Sequence, residues 1–375
     1  MSNRWENIAL GEVCEVLDSR RKPITKRDRT AGEYPYYGAT GILDYVHDYI
    51  FDEKLILIGE DGAKWGSGEN TAFIADGKYW VNNHAHVIRP DRKVVLDNWL
   101  VYFLNFSDLS KYVTGLTVPK LNQAKMREIS LPLPPISEQK EILHVVDKIF
   151  EKTSKAKENA EKNLQNAREL FESYLQNIFA NPGKDWEEKN LGDICEVIAG
   201  QSPEGKYYNN SGKGLPFYQG KKEFTEKYLG APTTWTTNIT KEAQEGDILM
   251  SVRAPVGPVN FSTSKICIGR GLAAIRASKH IDKEFLFSFL IKHKNEIVGN
   301  AGAVFNSISK TQIENILIPL PSISKQKIIV DKLITLSTET KRLEIVYQQK
   351  LADLEELKKS VLHKAFTGEL AGACS

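Results

Sequence analysis

One long sequence pattern occurs twice in this chain, in the same order, and that repetition limits the fold more than any other feature. Trp5-Glu6 and Leu10-Gly11-Glu12-Val13-Cys14-Glu15-Val16 return as Trp186-Glu187 and Leu191-Gly192-Asp193-Ile194-Cys195-Glu196-Val197. Pro35-Tyr36-Tyr37 matches Pro216-Phe217-Tyr218, Val87-Ile88-Arg89 matches Ala274-Ile275-Arg276, and Trp99-Leu100 matches Phe285-Leu286. Ile129 to Pro134 matches Ile316 to Pro321, and Ser137, Gln139 and Lys140 match Ser324, Gln326 and Lys327. The offset drifts between 181 and 187, with local slippage between residues 40 and 80. Solenoid repeats run to about 20–50 residues, so this period is far too long for one. It indicates tandem duplication of a globular unit followed by a helical unit, arranged with at most two-fold pseudosymmetry.

The helical units follow Pro-rich turns. Pro132, Pro134 and Pro135 bar a regular helix and favour extended backbone before them. Ser137 is the expected N-cap, with Glu138 and Glu141 complementing the first-turn dipole. Apolar or small residues then fall at 142, 146, 149, 153, 156, 160, 163, 167, 170 and 174, alternating steps of four and three. The second half repeats the pattern at 329, 333, 336, 340, 343, 347, 350, 354, 357 and 361, with Ser324 as N-cap. Pro182-Gly183 and Gly368 are the expected stops. Each helix is about 40 residues, or roughly 60 Å. A narrow apolar stripe is not stable alone, so the helices are expected to pair antiparallel. Asn163 and Lys350 interrupt the two seams at the same repeat position; they either fix the register or mark local fraying.

Short β-type runs separated by Gly-rich turns fill the remainder, among them residues 54–58 and 247–252, with helical stretches at 98–106 and 283–298. The expected fold class is α+β: two mixed α/β globular domains joined by two long helices in an antiparallel coiled coil, pseudo-two-fold symmetric. The expected divisions are 1–135, 136–181, 182–322 and 323–375.

Both globular units end in a Pro-Leu-Pro-x-Ile-Ser-x-Gln-Lys segment, at Pro132 to Lys140 and Pro319 to Lys327, each after a glycine approach at Gly115 to Leu121 and Gly302 to Ile308. The chain closes on Leu357 to Leu370. Across its whole length this pattern resembles the specificity subunits of Type I restriction-modification systems. The resemblance implies two target recognition domains, each reading half of a bipartite DNA target, and helical regions that act as a ruler. It implies double-stranded DNA, two adenine methyltransferase subunits and motor-nuclease restriction subunits as partners. It also implies no cofactor on this chain, with S-adenosylmethionine, ATP and Mg used by the partners. An alternative is a related system whose methylase and nuclease are fused in one partner.

The residues themselves offer little catalysis. There is no Gly-x-x-x-x-Gly-Lys-(Ser/Thr) phosphate loop and no (Asp/Asn)-Pro-Pro-(Tyr/Phe) segment to grip an adenine amine. Pro90-Asp91-Arg92-Lys93 lacks the second acidic residue of a nuclease motif. His84-x-His86 has no identified third ligand, so no metal site is expected. Cysteines 14, 195, 267 and 374 form no CxxC pair, and Cys14 and Cys195 read as core residues. No run approaches about 18 uninterrupted apolar residues, nor does the N-terminus resemble a signal peptide, so the expected location is the cytoplasm.

Net charge is only +2, with 17 basic and 18 acidic residues in 1–135 and 16 and 14 in 186–322, so any DNA surface must come from local clustering. Six of residues 20–29 are cationic: Arg20, Arg21, Lys22, Lys26, Arg27 and Arg29. They form a DNA-contacting loop or a solvated charge run. The equivalent segment of the second half is nearly uncharged, and there Lys221, Lys222, Arg253 and Arg270 are the candidates. Gln201 and Gln219 are candidate base readers, beside Ser202. Further candidates are Lys64, Asn82, Asn83, Lys120, Asn122, Asn306, Ser309 and Lys310. The halves differ most in these regions, which predicts two different half-sites around an unread gap.

Overall fold

The structure, a computed structural model, describes residues 5–115, 117–294 and 307–370. They form two compact units: one holds the described residues up to Lys162 with those from Tyr347 onward, the other Asn163–Val346. Each unit therefore contains one globular region and part of each long helix.

The first globular region contains β1 (Asn7–Ala9), β2 (Cys14–Val16), β3 (Ala31–Gly38), β4 (Gly41–Val46), β5 (Phe51–Asp52), β6 (Leu55–Gly59), β7 (Ala72–Ala75), β8 (Lys78–Val81), β9 (Ala85–Pro90), a helix Asp97–Phe106 and β10 (Ser130–Pro132). One sheet runs β2-β9-β6-β7, all antiparallel; the other runs β4-β3-β8-β5, with β3 and β8 parallel. The second region contains β11 (Glu187–Asn190), β12 (Cys195–Ala199), β13 (Tyr208–Asn209), β14 (Leu215–Tyr218), β15 (Trp235–Thr236), β16 (Glu242–Ala243), β17 (Ile248–Ser251), β18 (Val259–Phe261), β19 (Ile266–Ile268), β20 (Leu272–Ala277), a helix Lys283–Lys292 and β21 (Leu317–Leu320). Its sheets run β12-β20-β17-β18 and β13-β15-β14-β19-β16, with β14 and β19 parallel. The registers correspond, since Ile56 faces Ile88 in one region and Ile248 faces Ile275 in the other. Cys14, Cys195 and Cys267 are buried.

The Pro-Leu-Pro segments form two-stranded ribbons with the chain preceding each first sheet, β1 with β10 and β11 with β21. Proline is tolerated there because such an edge position leaves no required N–H unpaired. The glutamine of each doubled motif is completely buried at the start of a long helix. Gln139 Oε1 accepts from Leu96 N–H at 2.9 Å, and its Nε2 donates to Val94 O at 2.9 Å and Pro134 O at 2.8 Å. Gln326 repeats the clamp, accepting from Asp282 N–H at 2.7 Å and donating to His280 O at 3.1 Å and Pro321 O at 2.8 Å. Each glutamine thus ties the start of a long helix to the loop before its region's ten-residue helix.

The long helices span Ile136–Ala180 and Ile323–Phe366. They start one residue before the expected caps, so Ser137 and Ser324 lie inside the first turns. Gly368, with φ of +82°, follows the second helix as expected. Within each unit the helices run antiparallel. In the first unit Lys157 bonds Glu355 at 2.8 Å, while Ile142 and Val146 share a core with Val361 and Ala365. In the second Arg168 bonds Glu344 at 3.2 Å, while Leu175 shares a core with Val330 and Leu333.

The seam departs from the expected heptad. In the first helix inward positions recur every eleven residues: Ile142, Thr153, Leu164 and Leu175, then Ile149, Ala160 and Phe171. Eleven residues in three turns is 3.67 per turn, nearer the relaxed helix than the 3.5 of a heptad, so a strict seven-residue pattern drifts off the buried face. The second helix does the same through Ile329, Thr340, Leu351 and Leu362. Asn163 and Lys350 consequently sit one residue outside the stripe and are exposed. They do not form buried register layers.

Replacing Gln139 or Gln326 with leucine leaves two carbonyls and one N–H without their partner. Each substitution is expected to lower the stability of its own unit by about 3 kcal/mol, measured by urea unfolding. A loss below about 1 kcal/mol would show that the clamp is dispensable.

Candidate nucleic-acid interface

The open end of the sheet β12-β20-β17-β18 holds a groove of about 250 Å³. Its floor includes Ala199, Gly200, Leu272 and Ala273, and its rim carries Arg253, Arg270, Ser309 and Lys310. Among the described residues no carboxylate lines it. Arg270 stands in the turn between β19 and β20. Its N–H donates to Ser202 Oγ at 3.2 Å, and the Ser202 hydroxyl donates to Gln219 Oε1 at 2.9 Å. The flanking glycines are required by close approach: a Cβ on Gly271 would lie 2.5 Å from Gln219 O, and one on Gly269 2.6 Å from Gln219 Oε1. Arg253 follows β17 and pairs with Ser307 in an isolated antiparallel bridge. Both arginines are exposed.

Counting along matched registers, the first region places Asp61 where the second has Arg253, and Asn83 where it has Arg270. The isolated bridges agree, Asp61 with Lys120 and Arg253 with Ser307. Here the sheet end is built on buried charge. His86 is fully buried, its Nδ1 2.6 Å from Asp18 Oδ2 and its Nε2 2.7 Å from Leu121 O. Arg21 pairs with Glu60 and, at 3.3 Å, with Asp18; Lys120 pairs with Glu60 at 2.7 Å. His84 pairs with Asp61 on the exposed side. Asp18, Glu60 and His86 bring ligand atoms within 4.8 Å of one another, a spacing that could hold a cation. The positive charge beside these carboxylates is already supplied by Arg21 and Lys120.

Burial alone would raise the Asp18 carboxyl, but the hydrogen bond and charge of His86, the Val87 N–H and Arg21 hold it below its ordinary value of 3.8. Burial likewise opposes ionisation of Glu60, and Lys120, Arg21 and His86 outweigh it, leaving Glu60 below 4.5.

These contacts redistribute the residues expected to touch DNA. Arg21 is spent on the buried network, and Asn82 is buried with its Oδ1 accepting from His84 N–H at 2.8 Å. Arg20 pairs with Glu53 at 3.0 Å over the Phe51 ring, Arg29 pairs with Asp44 at 3.1 Å over Tyr36, and Lys120 serves Glu60. Asn122 and Ser309 cap short helices, accepting from Lys125 N–H at 2.9 Å and Gln312 N–H at 3.3 Å. Their side chains have structural partners, so these seven do not stand as free DNA contacts. Lys22, Lys26, Arg27, Lys64, Asn83, Gln201, Gln219, Lys221, Lys222, Arg253, Arg270 and Lys310 remain exposed. Ser202 is half-buried behind Arg270, and Asn306 lies outside the described residues. Sequence reasoning missed Asp18, Glu60 and Asp61; their clustering depends on a correspondence that shifts from 187 at His86 and Ala273 to 192 at Asp61 and Arg253.

Comparison with known proteins supplies independent findings. The Type I restriction modification DNA specificity domain matches residues 2–165 and again 183–355. The chain is 35% identical to the provisionally named type I restriction enzyme MjaX specificity subunit of Methanocaldococcus jannaschii, covering 98% of this chain and 93% of that protein. It is similar in structure to the HsdS subunit of Thermoanaerobacter tengcongensis, with TM-score 0.69, 26% identity and 97% of both chains covered. A chain from structural work on assembly and conformational transition of the type I R-M system gives TM-score 0.73 at 27% identity, covering 96% of this chain and 97% of that one.

The depressed carboxylates fix a pH dependence. Their stabilisation is present above the ordinary carboxylate range and is lost as pH falls through the lower folded values. Glu60→Gln leaves Arg21 and Lys120 without their shared carboxylate and is expected to destabilise the first unit by about 3 kcal/mol at pH 7. In melts from pH 7 to pH 3 the gap between wild type and variant should shrink below about pH 4. A gap independent of pH would contradict the network.

Proposed function

The chain belongs to the Type I restriction-modification DNA specificity family, and from that premise we propose that its two globular regions read the two halves of a bipartite, asymmetric DNA target. It is a specificity subunit and not a catalytic one. The observation that carries the two-reader proposal is the contrast at one matched sheet end: Asp61 and Asn83 in the first region, Arg253 and Arg270 in the second. Equivalent frames with different polar side chains present different donor and acceptor patterns to a groove. The exposed cations Lys22, Lys26, Arg27 and Lys64 of the first region, and Lys221, Lys222 and Lys310 of the second, would serve phosphates and add salt-dependent affinity.

The long helices would act as the ruler between half-sites and as the seat for two adenine methyltransferase subunits, with motor-nuclease subunits joining them. S-adenosylmethionine, ATP and Mg belong to those partners. Among the described residues no helix is long and apolar enough to cross a membrane; a DNA-modifying role puts the complex in the cytoplasm.

Purification with the partner methyltransferase, followed by single-molecule sequencing of genomic DNA, tests this. The expected result is methylated adenine at two different half-sites with a constant gap, only when both components are present. Inserting eleven residues into both long helices lengthens each by about 16 Å while preserving the buried face. The gap is expected to widen by about five base pairs, at about 3.4 Å per pair. An unchanged gap would remove the ruler from the account, and methylation by the lone chain would make it an enzyme.

A further inference from the structure

We propose that Arg253 and Arg270 are the base-reading side chains of the second region, and that their guanidinium groups select guanine in its half-site. The inference rests on the DNA-reading function proposed above and deepens it to particular residues and a particular base.

The two arginines stand apart from nearly all others. Arg20, Arg21, Arg27, Arg29, Arg89, Arg92, Arg168, Arg276 and Arg342 are each within ion-pair distance of a carboxylate. Among the described residues only Arg127, Arg253 and Arg270 lack such a partner. Arg127 lies against Gly11, where an added Cβ would meet the arginine's own Cβ at 2.9 Å. Arg253 and Arg270 instead share the rim of one groove that, among the described residues, contains no acidic side chain. Unneutralised guanidiniums on one rim leave their donors to water, an arrangement that becomes favourable when acceptors enter the groove.

Their mounting points to bases rather than phosphates. A phosphate contact tolerates a flexible cation, and Lys221, Lys222 and Lys310 provide these nearby. Reading a base edge requires the guanidinium fork at a fixed angle, and rigidity of the supporting backbone supplies that. Arg270 has such a mount: Gly269 N–H donates to Tyr218 O at 2.8 Å, Gly271 N–H to Gln219 O at 3.1 Å, and Arg270 N–H to Ser202 Oγ. Arg253 is held by the Ser307 bridge, and its carbonyl accepts from the Ser251 hydroxyl at 3.1 Å. An arginine fork matches the O6 and N7 acceptors of guanine in the major groove. The matched positions of the first region carry Asn83, suited to adenine, and Asp61, whose carboxylate is paired with His84.

The test uses the complex with its methyltransferase and reads the methylated motif by single-molecule sequencing of genomic DNA. Arg253→Gln and Arg270→Gln are each expected to relax a guanine in one half-site, the same half for both, with discrimination falling about 5- to 100-fold and the other half unchanged. Arg253→Lys and Arg270→Lys retain charge but lose the fork, and should relax the motif while binding to a duplex of the wild-type motif keeps its salt slope. An unchanged motif with uniformly lower occupancy, together with a salt slope reduced by about one, would make these residues phosphate contacts and overturn the proposal. If the wild-type complex yields no bipartite motif, the function itself fails and this inference with it.

Discussion

Each globular core is closed by the end of a long helix that starts after the other globular region. In the first unit Phe366, at the end of the second long helix, packs its ring 4.9 Å from Trp99 and 5.4 Å from Phe103. Phe179, at the end of the first long helix, lies 5.4 Å from both Phe285 and Phe289 in the second unit. Burying such a ring contributes about 2–3 kcal/mol before its aromatic contacts are counted. Neither long helix has enough apolar surface to be stable alone, and neither globular core is complete without a helix end. The N-terminal segment is tied into the same place, since Trp5 packs 5.8 Å from Trp99.

On this shared frame the two units differ at the open sheet end, where DNA reading is proposed. Sheet order, the register around Ile88 and Ile275, the glutamine clamp and the aromatic closure repeat almost position for position. At the open sheet end one unit holds a buried carboxylate, imidazole and guanidinium network, and the other an apolar-floored groove with free arginines. His86 faces Ile58 in the first register and Ala273 faces Met250 in the second, so exchange of the side chains at that point leaves the sheet intact while changing its chemistry.

The fold was largely legible because its signals are long. Forty-residue periodic stretches, Pro-Leu-Pro turns and a doubled motif each pointed to the same architecture. The heptad reading went wrong at Asn163 and Lys350 because seven- and eleven-residue patterns coincide over the first turns and separate only with length. The interface was less legible. The charge run at residues 20–29 reads as one basic cluster, yet Arg20, Arg21 and Arg29 are spent on Glu53, Glu60 and Asp44, partners distant in sequence. Lys22, Lys26 and Arg27 could be separated from them only once the sheets were assembled. Arg253, Arg270 and Lys310 were each visible as candidates, but their convergence on one groove follows from strand ends that local sequence does not join.

The central claim is that each globular region carries its own reading of DNA on a common frame. It is tested most directly by a chain in which the second globular region is replaced by a copy of the first, with both long helices left as they are. Combined with the methyltransferase, this chain is predicted to methylate a target made of two copies of the first region's half-site, separated by the wild-type gap. Methylation that retained the original second half-site would show that specificity resides outside the globular regions and would contradict the account.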